Sequence, residues 1–275
     1  MHQLTLSSHK KYIENAIVFL LPSKEMWPKV KTLTLKALEI DEMDGRAHTS
    51  LGGIKSLYEY DRSRAEISHK RAMELSPGNS EVYIGYATYL IGSGRTNEAA
   101  EKMNRALELD PLSILYHAYM GLPFYFARQF DKAIDQSQKT LELAPNDPLA
   151  LQILGMSHAA KGMYDEGIRM LQPVRNIPLI TSFIGYIYGM AGKRQEAQKI
   201  LDDFLEQSKR GYFSPSLIAG IYASLGDKEK EFEWLEKAFE ERDTNNWCVK
   251  VSPMFDNVHS DPRWTRLMER MGLAD

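Results

Sequence analysis

The chain has 275 residues, 43% of them apolar, and its 34 basic and 37 acidic side chains leave a net charge of −3. That balance argues against the clustered basic excess of a nucleic-acid binder, and no apolar run approaches the ~20 residues that cross a membrane. Cys248 is the single cysteine, so no intrachain disulfide can form, which fits a reducing, cytoplasmic location.

Taken in chain order, residues 10–44 read as a degraded first unit. "HKK" precedes "YIENAIVFLLP", but Glu14 and Asn15 interrupt the run that a secretory signal needs. "KVKTLTLKALEID" at 29–41 has the character of the second helix of a pair. A fixed spacing then sets in. "RAMELSP" ends at Pro77, "RALELDP" at Pro111 and "KTLELAP" at Pro145, two successive intervals of 34 residues. A period of that length marks stacked helix–turn–helix units.

With those prolines aligned at position 32, small residues fall into register. Position 8 holds Gly52 (one residue early), Ala87, Gly121 and Gly155. Position 20 holds Ala65, Ala99, Ala133 and Gly167, and position 27 holds Ala72, Ala106, Thr140 and Val174. Small side chains there let paired helices approach closely. Between the two helices of each unit lies a turn, in which Gly94, Gly162, Gly192 and Gly226 stand where a helix ends in a left-handed residue.

This pattern resembles the tetratricopeptide repeat. The resemblance covers repeats at 45–79, 80–113, 114–147, 148–177, 178–211 and 212–245. Pro173 and Pro178 shorten the fourth, and Glu231 replaces the small residue of the sixth. It implies an all-α, right-handed superhelical solenoid of about six helical pairs in one domain. A tail at 246–275 follows, with a capping helix over Asp261–Met271. "FEWLEKAFEERD" and "VKVSPMFDNVHSDPRWTRLMERMGL" are similar to the ends of such regions in bacterial multidomain signalling proteins, whose upstream modules are absent here.

No catalytic constellation emerges. The seven histidines show no His-x-x-x-His pair and no neighbouring cysteine, so no metal is expected. "GSGRTNEAAEK" lacks the strand and the Gly-Lys-Ser/Thr ending of a phosphate loop. No cofactor is implied. Relatives that clamp a terminal carboxylate hold it with Lys and Asn at positions 5, 9 and 6, and Lys and Arg at 2 and 6, of successive units. Here positions 5 hold Thr49, Ile84, Ala118, Gln152, Ser182 and Ser216, and positions 9 hold Gly53, Thr88, Leu122, Met156, Tyr186 and Gly220, with no cation among them, so no such clamp is expected.

One face exceeds what packing requires. Positions 2, 6, 9 and 13 of the first helices, which the resemblance places on the concave side, read Glu81, Gly85, Thr88 and Gly92 in one unit. They read Leu115, Tyr119, Leu122 and Phe126, then Leu149, Ile153, Met156 and Ala160, then Leu179, Phe183, Tyr186 and Met190 in the next three. A large apolar face of this kind marks a binding surface. Leu115, Tyr119, Leu122, Phe126, Ile153, Met156, Phe183, Tyr186 and Met190 are therefore the candidate partner-binding residues. The expected function is a non-catalytic scaffold for a protein or peptide, with an amphipathic helix as the natural occupant and self-association also open. Two alternatives stand beside it. The same concavity holds a small molecule in a sensory module, or "NWCVKVSPMF" at 246–255 folds back and covers the stripe as internal packing.

Overall fold

The structure, a computed structural model, describes residues 22–274. Residues 10–21 of the proposed leading unit lie outside the described residues. Helix α1 spans Ser23–Ile40. Paired helices follow: α2 (Gly45–Gly53) with α3 (Arg62–Leu75), and α4 (Ser80–Gly92) with α5 (Thr96–Leu109). Then α6 (Ile114–Tyr119) and α7 (Gly121–Phe126) together face α8 (Phe130–Leu143). After them come α9 (Pro148–Ala160) with α10 (Tyr164–Leu171), α11 (Pro178–Met190) with α12 (Arg194–Arg210), and α13 (Pro215–Leu225) with α14 (Lys228–Glu240). Helix α15 (Pro262–Arg270) ends the array. No strand occurs among the described residues.

Local chemistry sets the helix starts. The side chains of Asp44, Asp61, Asn79, Ser113, Asp147, Asp227 and Asp261 each accept a first-turn backbone N–H, which satisfies donors that a helix leaves orphaned. Gly94, Gly162, Gly192 and Gly226 all adopt left-handed backbone, with φ between 74° and 85°.

The small residues do what their spacing demands. Ala65, Ala87, Ala99 and Ala133 are fully buried. A Cβ on Gly155 would stand 2.9 Å from the Gly167 carbonyl oxygen, and one on Gly167 2.7 Å from that of Gly155. Two departures from regularity have proline causes. The first helix of the 114–147 unit is broken at Met120, because Pro123 has no N–H to offer the carbonyl one turn back. Helix α10 runs only eight residues before Pro173 turns it into a short 3-10 segment, Gln172–Val174.

The array closes end on end. Tyr60, in the turn after α2, stacks on Phe239 of α14 at 5.1 Å between ring centroids and 13° between planes. The Arg242 guanidinium lies 4.2 Å from the Tyr60 ring, and Ser23 Oγ meets Thr244 Oγ1 at 3.0 Å. Beyond α14 the chain does not leave the array. It makes two 3-10 turns, Thr244–Cys248 and Pro253–Val258, that pass through the concave interior. Helix α15 then docks on α14 through Arg263–Glu229 at 2.8 Å and Arg270–Glu236 at 2.7 Å.

Candidate functional site

The candidate site lies between the A helices and the return segment 244–258. Asp243 starts the return. It is 2% exposed, and it accepts hydrogen bonds from Ser214 Oγ at 2.6 Å, Ser216 N at 2.9 Å, Asn245 N at 3.1 Å and Tyr212 OH at 3.3 Å. Ser216 Oγ–H in turn donates to Asn246 Oδ1 at 2.8 Å. A buried carboxylate is tolerated only where donors converge on it in this way, so this cluster fixes the direction in which the chain re-enters the superhelix.

Inside, the segment meets both halves of the concave face. On the small half, Gly92 lies directly under the Trp247 carbonyl, where any Cβ would collide. Gly92 is therefore explained by a close backbone approach and not by the repeat register alone. On the large half, Trp247 packs edge-on against Phe126 at 5.5 Å, and Met254 fills the space over Gly220. Arg128 clasps the segment from the side: its guanidinium donates to the Val251 carbonyl at 2.6 Å and to Asp256 at 2.6 Å. Arg128 stands in the turn where other units have glycine, at φ 62°. The non-glycine residues with positive φ among the described residues are Tyr60, Arg128 and Arg242, and all three make the contacts that close the ring or hold the return segment. Left-handed backbone costs a non-glycine residue of order 1 kcal/mol or more and persists where the surroundings over-determine it.

The open concave groove expected for a partner helix is therefore not available in this structure. The chain's own residues cover the middle of the stripe. A partly open cavity of about 150 Å³ remains beside them. Of the nine residues singled out, Tyr119, Leu122, Phe126, Ile153, Met156 and Phe183 line it. Leu115 and Tyr186 are half-buried and do not line it, and Met190 is 45% exposed. Residues absent from the stripe complete the wall: Tyr125 and Leu217 from the helices, and Trp247, Cys248, Val249, Met254 and Phe255 from the return segment. Polar residues in its lining include Ser182, Ser216 and Ser252, all buried. The signals for these contacts were the glycines facing inward, the turn with arginine in place of glycine, and the apolar character of 246–255.

Burial governs the chemistry of the wall. It pushes the Cys248 thiol up to about 12 and the Tyr125 phenol well above its ordinary range, so both stay protonated at neutral pH. No histidine lines the cavity. Among the described residues no cluster of three or more His, Cys, Asp or Glu is placed to hold a metal. His48 and His117 pair instead with carbonyls of the preceding turns, those of Glu42 at 2.9 Å and Pro111 at 3.0 Å. No helix of the described residues is long and apolar enough to cross a membrane.

No family model matches the chain. It is similar to human tetratricopeptide repeat protein 13, with 28% identity over 117 residues that make up 42% of this chain and 14% of that protein. It is also similar to the transcriptional regulator HilA of Salmonella typhimurium, with 23% identity over 265 residues, 93% of this chain and 45% of the regulator. The chain thus spans less than half of either relative. Among solved structures, a tetratricopeptide repeat protein from Parabacteroides merdae matches with a TM-score of 0.58 and 17% identity, covering 96% of this chain and 99% of that one. The Cut9 and Hcn1 assembly of the APC/C matches with a TM-score of 0.59 and 16% identity, covering 91% of this chain and 47% of the matched chain. The repeat register, the paired helices and these likenesses show the all-α helical-repeat solenoid fold that tetratricopeptide-repeat proteins share.

Proposed function

We propose that this chain is a non-catalytic interaction module, a helical-repeat scaffold whose interior receives a small, mainly apolar molecule in place of a partner helix. The observation that carries this reading is the partly open, mainly apolar cavity between the apolar stripe and the return segment. An apolar cavity of this size takes up a benzene-sized ring, and aromatic walls with a few polar groups among them are the usual make-up of a small-molecule site. A ligand there touches Trp247 and Phe255 as well as α7, α9 and α11, so its binding is coupled to the placement of the return segment. Contact with proteins then falls to the outer surfaces of the array. The non-catalytic assignment rests on the lining: a protonated buried thiol with no base beside it is no nucleophile. The likeness to a transcriptional regulator over nearly the whole chain supports a regulatory setting for such a module.

Thermal unfolding with indole as the probe tests this. Saturating indole raises Tm by several degrees through mass action, and Leu179→Trp, which fills the cavity from its rim, abolishes the rise while leaving the helical circular dichroism intact. An unchanged Tm with indole, or an equal rise in Leu179→Trp, contradicts the reading.

A further inference from the structure

A second cavity, of about 240 Å³, lies at the other end of the interior, on the far side of Trp247. Its wall is unlike the first. Thr49 and Gly53 of α2, Arg62 and His69 of α3, and Gly85 and Thr88 of α4 face it. We propose that this pocket binds the carboxylate of a small organic acid, with Arg62 as the cation and His69 as the second polar contact. These residues belong to this pocket alone, although Trp247 borders both cavities.

Arg62 is a half-buried cation that makes no ion pair among the described residues. Its Nε has no hydrogen-bond partner. Nη1 reaches only Ser93 Oγ, at 3.5 Å, the outer limit of a hydrogen bond, and the Tyr89 ring lies 5.7 Å away. The carboxylate one turn along, Glu66, is already held by Arg95 at 2.9 Å, Lys70 at 3.0 Å and the Tyr86 hydroxyl at 3.0 Å. Burial accordingly pulls the Arg62 guanidinium down to about 10. A guanidinium partly withdrawn from water without a partner carries a desolvation cost, and an anion in the pocket offsets it.

His69 supplies an independent observation. It is 2% exposed, and neither ring nitrogen has a partner. Its ring is wedged between Gly52, where a Cβ would stand 2.5 Å from Nε2, and the stacked rings of Tyr86 and Tyr89 at 5.7 and 5.3 Å. Burial draws it down to about 4, so the ring is neutral at pH 7, with one N–H to donate.

The donor count selects the ligand. The hydroxyls of Thr49, Ser56 and Thr88 give their protons to their own helix carbonyls, those of Gly45, Gly53 and Ile84. They turn lone pairs, not donors, toward any ligand. That leaves one positive charge and the donors of Arg62 and His69, which match a carboxylate and undersupply a phosphate dianion. The volume beyond them holds one ring, against Leu57 and Trp247.

Isothermal titration with benzoate, benzyl alcohol and phenyl phosphate is the test. Benzoate is expected to bind the wild-type protein, and benzyl alcohol and phenyl phosphate to bind at least about tenfold more weakly. Arg62→Met is expected to lose benzoate at least about tenfold, Arg62→Lys to retain part of it, and His69→Phe to weaken it. Leu179→Trp is expected to bind benzoate as the wild type does. Each variant is accepted only with an unchanged helical spectrum, and Arg62→Lys, which keeps the charge, reports even if Arg62→Met does not fold. No heat with benzoate, undiminished binding in Arg62→Met, a complete loss in Arg62→Lys, or phenyl phosphate binding as tightly as benzoate overturns the proposal.

Discussion

The helix pairs between Ser80 and Met190 and the return segment between Asp243 and Val258 are built by opposite means. In the pairs, identity at any one position matters little beyond size. Small residues recur at fixed places, and Ala99, Ala133 and Gly167 do the same job in successive units. In the return segment nothing recurs. One carboxylate gathers donors from four residues at the entry, one indole bridges the interior, and one arginine in a left-handed turn clasps the far side. Periodic packing distributes stability over neighbouring interfaces. The return segment concentrates it in a few side chains, so single substitutions separate the two.

The largest effect is expected at Asp243. Asp243→Ala leaves the Ser214 hydroxyl and the Ser216 N–H buried without this acceptor, at a cost of about 3–5 kcal/mol. Urea denaturation followed by circular dichroism measures it; a loss under about 1 kcal/mol removes Asp243 as the anchor.

Glu231 should give the next effect, and it depends on pH. It is fully buried on α14 at the position small in other units, and only Asn257 reaches it, donating to Oε2 at 2.8 Å. Burial raises its carboxyl to about 7. The folded state therefore holds a proton that the unfolded chain releases near pH 4.5, and stability contributed below that pH is lost as pH rises through about 7, by up to about 3 kcal/mol. Glu231→Gln keeps an acceptor for Asn257 and is expected to remove this slope between those two values. Parallel pH profiles of Tm for the two proteins contradict the assignment.

In the array, Gly121→Leu should cost about 1–3 kcal/mol by overpacking, since a Cβ there already meets Ile153 at 3.1 Å. Glu101→Leu, on the exposed face of α5, should stay within about 0.5 kcal/mol. Equal shifts in Tm for the two place the register in error. The smallest effect is local: amides at 172–178, where Pro173 shortens α10, should exchange fastest among the turns between pairs. Uniform protection across those turns argues against a soft joint there.

How much of this was legible follows the same division. The helix pairs could be read because spacing carries them: Pro77, Pro111 and Pro145 set the period, and the glycine turns set the boundaries between helices. The stripe from Tyr119 to Phe183 could be read as a continuous apolar face, although not what covers it. The break at Met120 was present in Pro123 but masked by an otherwise regular helix. Trp247 over Gly92, and Arg62 brought to the concave side from the start of α3, rest on contacts across 155 and 31 residues of chain, between Gly92 and Trp247 and between Arg62 and Ser93. No local pattern encodes such distances. Their traces were residues out of keeping with the repeat: glycines facing inward, arginine where a turn calls for glycine, and an apolar run after the last pair.

The central claim is that residues 246–255 occupy the concave interior and cover the middle of the apolar stripe. Hydrogen exchange with mass spectrometry on the full chain tests it most directly, by comparing peptides from 246–255 in the wild-type protein and in Asp243→Ala. The account predicts protection of this segment close to that of α9 and α11 in the wild type, and its loss in Asp243→Ala while those helices stay protected. Exchange of 246–255 at the rate of an unstructured peptide in the wild type contradicts it.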